Sequence, residues 1–166
     1  MTWKTALSFV AFATLVTILT GWLISVGGLP IQESLSFDDS EMRVIRSWIR
    51  LARPIGLIFP GIAFFAGIKY PQLRKIFGFY FLVLLVQIFT EGVVRRIWIL
   101  SLVVLIGTIY TAFRVWQLWQ GLKLAKKAQL NRISYKLING LLLLLLLFWS
   151  SNLIMLLTVA WPGIFK

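Results

Sequence analysis

The chain contains no cysteine and no histidine. The first absence excludes disulfides and thiolate chemistry, though it says nothing of compartment. The two together remove the usual ligands of zinc, haem and iron–sulfur centres. Acids are scarce as well: 5 Asp and Glu stand against 17 Lys and Arg, for a net charge of +12. No nucleophile–base pair, phosphate loop or metal-ligand spacing occurs. An enzyme would have to work with carboxylates and hydroxyls alone, so the chain is read as non-enzymatic, with no cofactor and no metal.

What the chain does have is apolar surface. Of 166 residues 60% are hydrophobic, and the mean hydropathy is +0.90, against about 45–50% apolar residues in ordinary soluble domains. A soluble core cannot hide that much Leu, Ile, Phe and Trp in so short a chain. The expected fold class is therefore all-α: a polytopic helical membrane protein, one integral domain over residues 1–166, with four to five transmembrane segments and an amphipathic interfacial helix. In a soluble protein the charge would suggest nucleic acid. Here the aromatics sit inside apolar runs rather than in a basic groove, and Lys and Arg enriched in cytoplasmic loops account for the excess.

The amphipathic stretch runs from Asp38 to Pro54. At 100° per residue, Arg43, Arg46, Arg50 and Arg53 fall within about 80° of one another. Val44, Ile45, Trp48, Ile49, Leu51 and Ala52 spread over roughly 160° on the opposite side. An arginine stripe facing an apolar side with a Trp is the pattern of a helix in the headgroup plane, and the four arginines are the candidate contacts to anionic lipid. The same pattern also fits an ordinary helix packed on protein with solvated arginines. Asp38 and Glu41 form a capping box at its start, and Pro54 is expected to end it.

Four full-length spans are expected at about 6–26, 76–92, 97–117 and 137–161. The first is read as a retained anchor rather than a cleaved signal peptide, because its apolar run exceeds a signal core. Trp3 and Trp22, and Trp98 and Trp116, are spaced to reach both interfaces. Ala13, Thr17, Gly21 and Ser25 make a small-residue line for close helix packing. Residues 54–68 are the ambiguous piece. They span about 22 Å as a helix against about 30 Å of hydrocarbon, and Pro60-Gly61 interrupts them, so they read as a short span or a re-entrant segment. Counting Lys and Arg on each side favours the four-span version with both termini outside, in which the arginine stripe and the basic stretch from Arg114 to Lys136 share the cytoplasmic face.

Two further groups carry polarity. Glu91, near an expected turn, reads either as an intramembrane ion relay or as a helix-spaced partner of Arg95; the pairing is the plainer account. Ser150, Ser151 and Asn152 lie within the last span and read as interhelical hydrogen-bonding groups. The expected partners are the bilayer, its anionic lipids, and other integral membrane proteins or a second copy. The expected function is that of an accessory subunit or assembly factor, with a small oligomeric transporter or channel as the alternative.

Overall fold

A computed structural model describes residues 3–31, 37–97, 101–128 and 130–165. Among them there is no strand; five helices are long and apolar enough to cross a bilayer. They are α1 (Trp3–Ser25), α2 (Asp39–Ala66), α3 (Pro71–Ile97), α4 (Leu102–Ala125) and α5 (Arg132–Phe165). Trp98 lies outside the described residues, as does the side chain of Trp3.

Helix α2 joins two stretches that its prolines were expected to separate. Asp39–Arg53 is α-helical, Pro54–Ile58 forms a π-turn, and Phe59–Ala66 is α-helical again. Pro54 therefore does not stop the helix. Proline removes one N–H from the ladder and crowds the preceding turn, and a π-turn at that point absorbs the defect: the Phe59 N–H reaches back five residues to Pro54 O. Pro60 falls in the first turn of the second α-helical stretch, and the carbonyl four residues before it, Gly56 O, accepts from the Tyr80 hydroxyl instead. Residues 54–66 thus form the second half of a continuous helix, with no reversal inside it. The capping box at the start has both halves: Asp38 Oδ1 accepts from the Ser40 and Glu41 N–H groups, and the Glu41 carboxylate accepts from the Asp38 N–H.

Other boundaries shift as well. Helix α3 runs on to Ile97, so Glu91 lies within a helix rather than beside a turn. Helix α4 is centred near residue 114 rather than 107. Helix α5 starts at Arg132, where the Asn131 side chain caps the Ser134 N–H, and continues past Pro162 by a second π-turn at Leu156–Ala160.

Helix α4 is the spine. It packs along both α3 and α5 and takes α1 on another side, while the second half of α2 lies against α3 and its middle touches α5. Phe37, just before α2, packs with Val104, Ala160 and Ile164. Helix α2 therefore begins at the end of the bundle where α5 finishes, and it finishes beside the start of α3, where Gly67 fits closely against Leu73. Burial is inverted relative to a soluble protein. Phe65 and Phe89 are each 73% exposed, while Arg114, Thr111, Gln117 and Gln87 are buried. Apolar rings outside and polar groups inside are what a hydrocarbon surround selects.

Candidate functional site: an enclosed arginine where four helices meet

At the middle of α4 sits Arg114, with no exposed surface. A charge with no contact with water is very costly unless it is paired and hydrogen-bonded, and the surrounding helices supply partners. From α3, Gln87 Oε1 accepts from Arg114 Nη2 at 2.6 Å. From α5, the Trp149 ring lies under the guanidinium, with Cζ 4.1 Å from the ring centroid, and Tyr80 of α3 presents its ring at 5.5 Å. A delocalised planar cation over aromatic faces is held by the ring quadrupoles, more strongly where water is excluded.

The rings are fixed in turn. Trp149 Nε1 donates to the Tyr80 hydroxyl at 3.0 Å, and that hydroxyl donates to Gly56 O at 2.6 Å. Gly56 belongs to the π-turn of α2. A Cβ at this position would come 3.0 Å from Trp149 Cζ2, so glycine is what lets α2 approach. These hydrogen bonds tie α2, α3 and α5 together, and the Arg114 guanidinium on the Tyr80 and Trp149 rings adds α4.

On the other side Gln87 passes the polarity on. Its Nε2 donates to Glu91 Oε1 at 2.7 Å. The amide is orientated by its two neighbours, with its oxygen toward the cation and its nitrogen toward the carboxylate, so Arg114 and Glu91 are bridged by one side chain rather than touching. The same carboxylate oxygen lies close to Gly107 of α4. Between that level and Arg114, Asn152 Nδ2 donates to Thr111 Oγ1 at 3.2 Å and Trp161 Nε1 donates to Thr108 Oγ1 at 2.9 Å. In the opposite direction polarity continues without partners: Arg114 Nε and Nη1, and both amide atoms of Gln117, are buried and form no hydrogen bond.

Arg114 does not belong with the basic stretch that follows it. It is the only charged residue between Arg96 and Lys123, which was the signal available in the sequence. With the span placed at 97–117 the arginine fell near an end; with the helix at Leu102–Ala125 it falls at the centre. Tyr80, Trp149 and Gly56 carried no such signal, because aromatics and glycine are ordinary inside apolar runs.

The residues singled out from sequence are distributed as follows. Arg43, Arg46, Arg50 and Arg53 are all exposed, and Asp39 shares a hollow with Arg43 and Arg46. Their helix does not turn its Trp outward: Trp48 stacks on Phe148 of α5, with centroids 4.9 Å apart and planes 5° from parallel. Ala13, Thr17 and Gly21 are buried within the chain's own bundle, whereas Ser25 is exposed, its hydroxyl on Trp22 O. Of Ser150, Ser151 and Asn152, Asn152 makes the bond to Thr111, and Ser151 is exposed. No group of three metal-ligating side chains occurs among the described residues. No protein-family model, curated protein or solved structure matches the chain.

Proposed function

We propose that this chain is a multi-pass integral membrane protein without enzymatic activity, acting as an accessory subunit or assembly factor that packs against other membrane proteins and anionic lipid. The observation that carries the reading is the enclosure of Arg114. Its charge has no exposed surface, and its contacts go to Gln87, Tyr80 and Trp149 on neighbouring helices. A group on an ion or solute pathway must meet solvent; a group used this way holds helices in register. The surfaces left for partners are the outer apolar faces and the arginine stripe, where each basic residue beside anionic headgroups gains about 1 kcal/mol.

A second reading, a small oligomeric transporter or channel, is favoured by the unpartnered donors and acceptors of Arg114 and Gln117. Unsatisfied polar atoms in a membrane interior are costly, and a polar solute would satisfy them. Flux from liposomes separates the two. The accessory reading expects no specific flux from the purified chain, together with a defined membrane protein that accompanies it in constant ratio through mild-detergent purification. Specific, saturable flux by the chain alone would overturn it.

A further inference from the structure

At the end of the bundle where α2 finishes and α3 begins, Lys75 of α3 faces the last turns of α4 across a cleft of about 240 Å³. Its other walls are Gln120, Lys123, Leu124 and Lys127. Three lysines line it, one from α3 and two from the end of α4 and the turn after it, and no acid offsets them. The sequence has no Asp or Glu between Met42 and Thr90 or after Gly92. Asp38, Asp39 and Glu41 start α2 at the opposite end of the bundle, and Glu91 is near the far end of α3. Like charges gathered without a counter-charge repel one another, and an anion relieves the repulsion.

The cleft does not stand alone on its helix. Phe113, Trp116, Gln120 and Lys123 lie within about 80° on α4 at helical spacing, and Lys127 follows in the turn after it. The stripe is apolar toward the middle of the helix and cationic at its end. Trp116 is 40% exposed and tilts against Phe113, with centroids 5.2 Å apart. Trp119 is 53% exposed and has Lys123 Nζ 5.6 Å from its ring centroid. Basic pockets between transmembrane helices suit anionic lipid headgroups. A soluble anion would use the lysines and leave the apolar half of the stripe idle. A lipid uses both, with phosphate beside the lysines and an acyl chain along the exposed Trp116, which Phe113 backs from its own stack on Phe9 of α1.

We propose that the Lys75–Lys123–Lys127 cleft, continued by the Trp116–Phe113 face, binds one anionic phospholipid. The inference rests on the chain's lying in a bilayer and is independent of its acting as an accessory factor, because the test is made on the isolated protein.

The full-length protein in mild detergent is examined by native mass spectrometry with phosphatidylglycerol or phosphatidylcholine of matched chains. One phosphatidylglycerol should be retained at least about tenfold more strongly than phosphatidylcholine. Combined Lys75→Gln, Lys123→Gln and Lys127→Gln should abolish that preference. Lys126→Gln, Arg132→Gln and Lys136→Gln together remove the same charge at the same end and should preserve it. Trp116→Ala should weaken retention of phosphatidylglycerol, and millimolar glycerol phosphate should not compete. Circular dichroism and gel filtration establish that each variant is folded; should the triple variant fail, Lys123→Gln alone, at an exposed position, should still lower the preference. Equal loss in both triple variants would reduce the effect to general charge and overturn the proposal. So would unchanged retention without the cleft lysines. Competition by glycerol phosphate, or indifference to Trp116→Ala, would overturn the lipid as occupant.

Discussion

Gln87 stands between Arg114 and Glu91, accepting from the one at 2.6 Å and donating to the other at 2.7 Å. Removing only one member of such a chain leaves the others without partners in a low-dielectric interior, the costly case. Arg114→Ala should therefore destabilise the bundle by about 3 kcal/mol or more, read as a lower thermal midpoint in detergent. Arg114→Lys should recover little of it, because a compact ammonium cannot lie flat on Trp149. Arg114→Met combined with Gln87→Leu and Glu91→Met replaces all three members with apolar groups of similar length and should recover most of the loss. If the triple variant is as unstable as Arg114→Ala, the three do not act as a unit.

The contact of Gly56 with Trp149 is tested by a pair of alanines. Gly56→Ala brings a methyl group to 3.0 Å from the indole and pushes apart the Tyr80–Gly56 hydrogen bond. A cost of about 1–3 kcal/mol is expected for such overpacking. Gly140→Ala, within α5, meets nothing within 4 Å, and should be neutral or stabilising by up to about 1 kcal/mol. Equal effects at the two positions would show that backbone entropy, not the approach of α2, decides the outcome.

Helix α2 places Ser40 and Gln72 at opposite ends of the bundle. The absence of native cysteine makes thiol labelling clean. With Ser40→Cys and Gln72→Cys made singly, an impermeant reagent should reach one in intact cells and the other only after permeabilisation. Labelling of both from the same side would mean that residues 54–66 dip and return.

The arginine stripe predicts a separable lipid effect. Replacing Arg43, Arg46 and Arg50 with Gln should leave insertion unchanged, since the spans hold the hydrophobic energy. It should remove up to about 3 kcal/mol of attraction to anionic vesicles, measured as salt-sensitive protection of α2 from hydrogen exchange in anionic against neutral liposomes. No difference between the two liposomes in the native chain would assign the stripe to water or to a protein partner.

Asn152 and Thr111 offer a smaller test. A double-mutant cycle on Asn152→Ala and Thr111→Ala should give a coupling of about 0.6 kcal/mol, consistent with one 3.2 Å bond between α4 and α5. A coupling near zero would mean the two side chains are held apart in the membrane.

Much of the helical architecture was legible because span length and capping are local. Asp38 and Glu41 announced the start of α2 through their spacing alone, and the first span needed only a run of apolar residues. What was illegible depends on a neighbour distant in sequence. Pro54 stops an isolated helix, but here α3 and α5 hold both sides of the π-turn through Tyr80 and Trp149. Trp48 looks like a lipid anchor until Phe148 is seen beside it. Arg114 was visible as a charge, but its meaning depended on a helix boundary, and a shift of a few residues separates an interfacial arginine from a central one. Of the small-residue line of α1, Ala13, Thr17 and Gly21 are buried in the chain's own bundle while Ser25 is exposed, a division that spacing alone does not carry.

The π-turn of α2 also has a geometric consequence. A helix that spends one extra residue in a turn is out of phase beyond that point by one residue, roughly 100° around its axis. The side chains of Asp39–Arg53 are thus dialled relative to those of Phe59–Ala66, and the setting is made at Pro54–Ile58. Loss of a single residue from that turn would leave both α-helical stretches intact and every arginine still on one stripe. It would swing that stripe by about a quarter of a circle with respect to the core, taking Trp48 away from Phe148. The azimuth at which the chain presents its arginines is therefore stored in five residues that contain no charge.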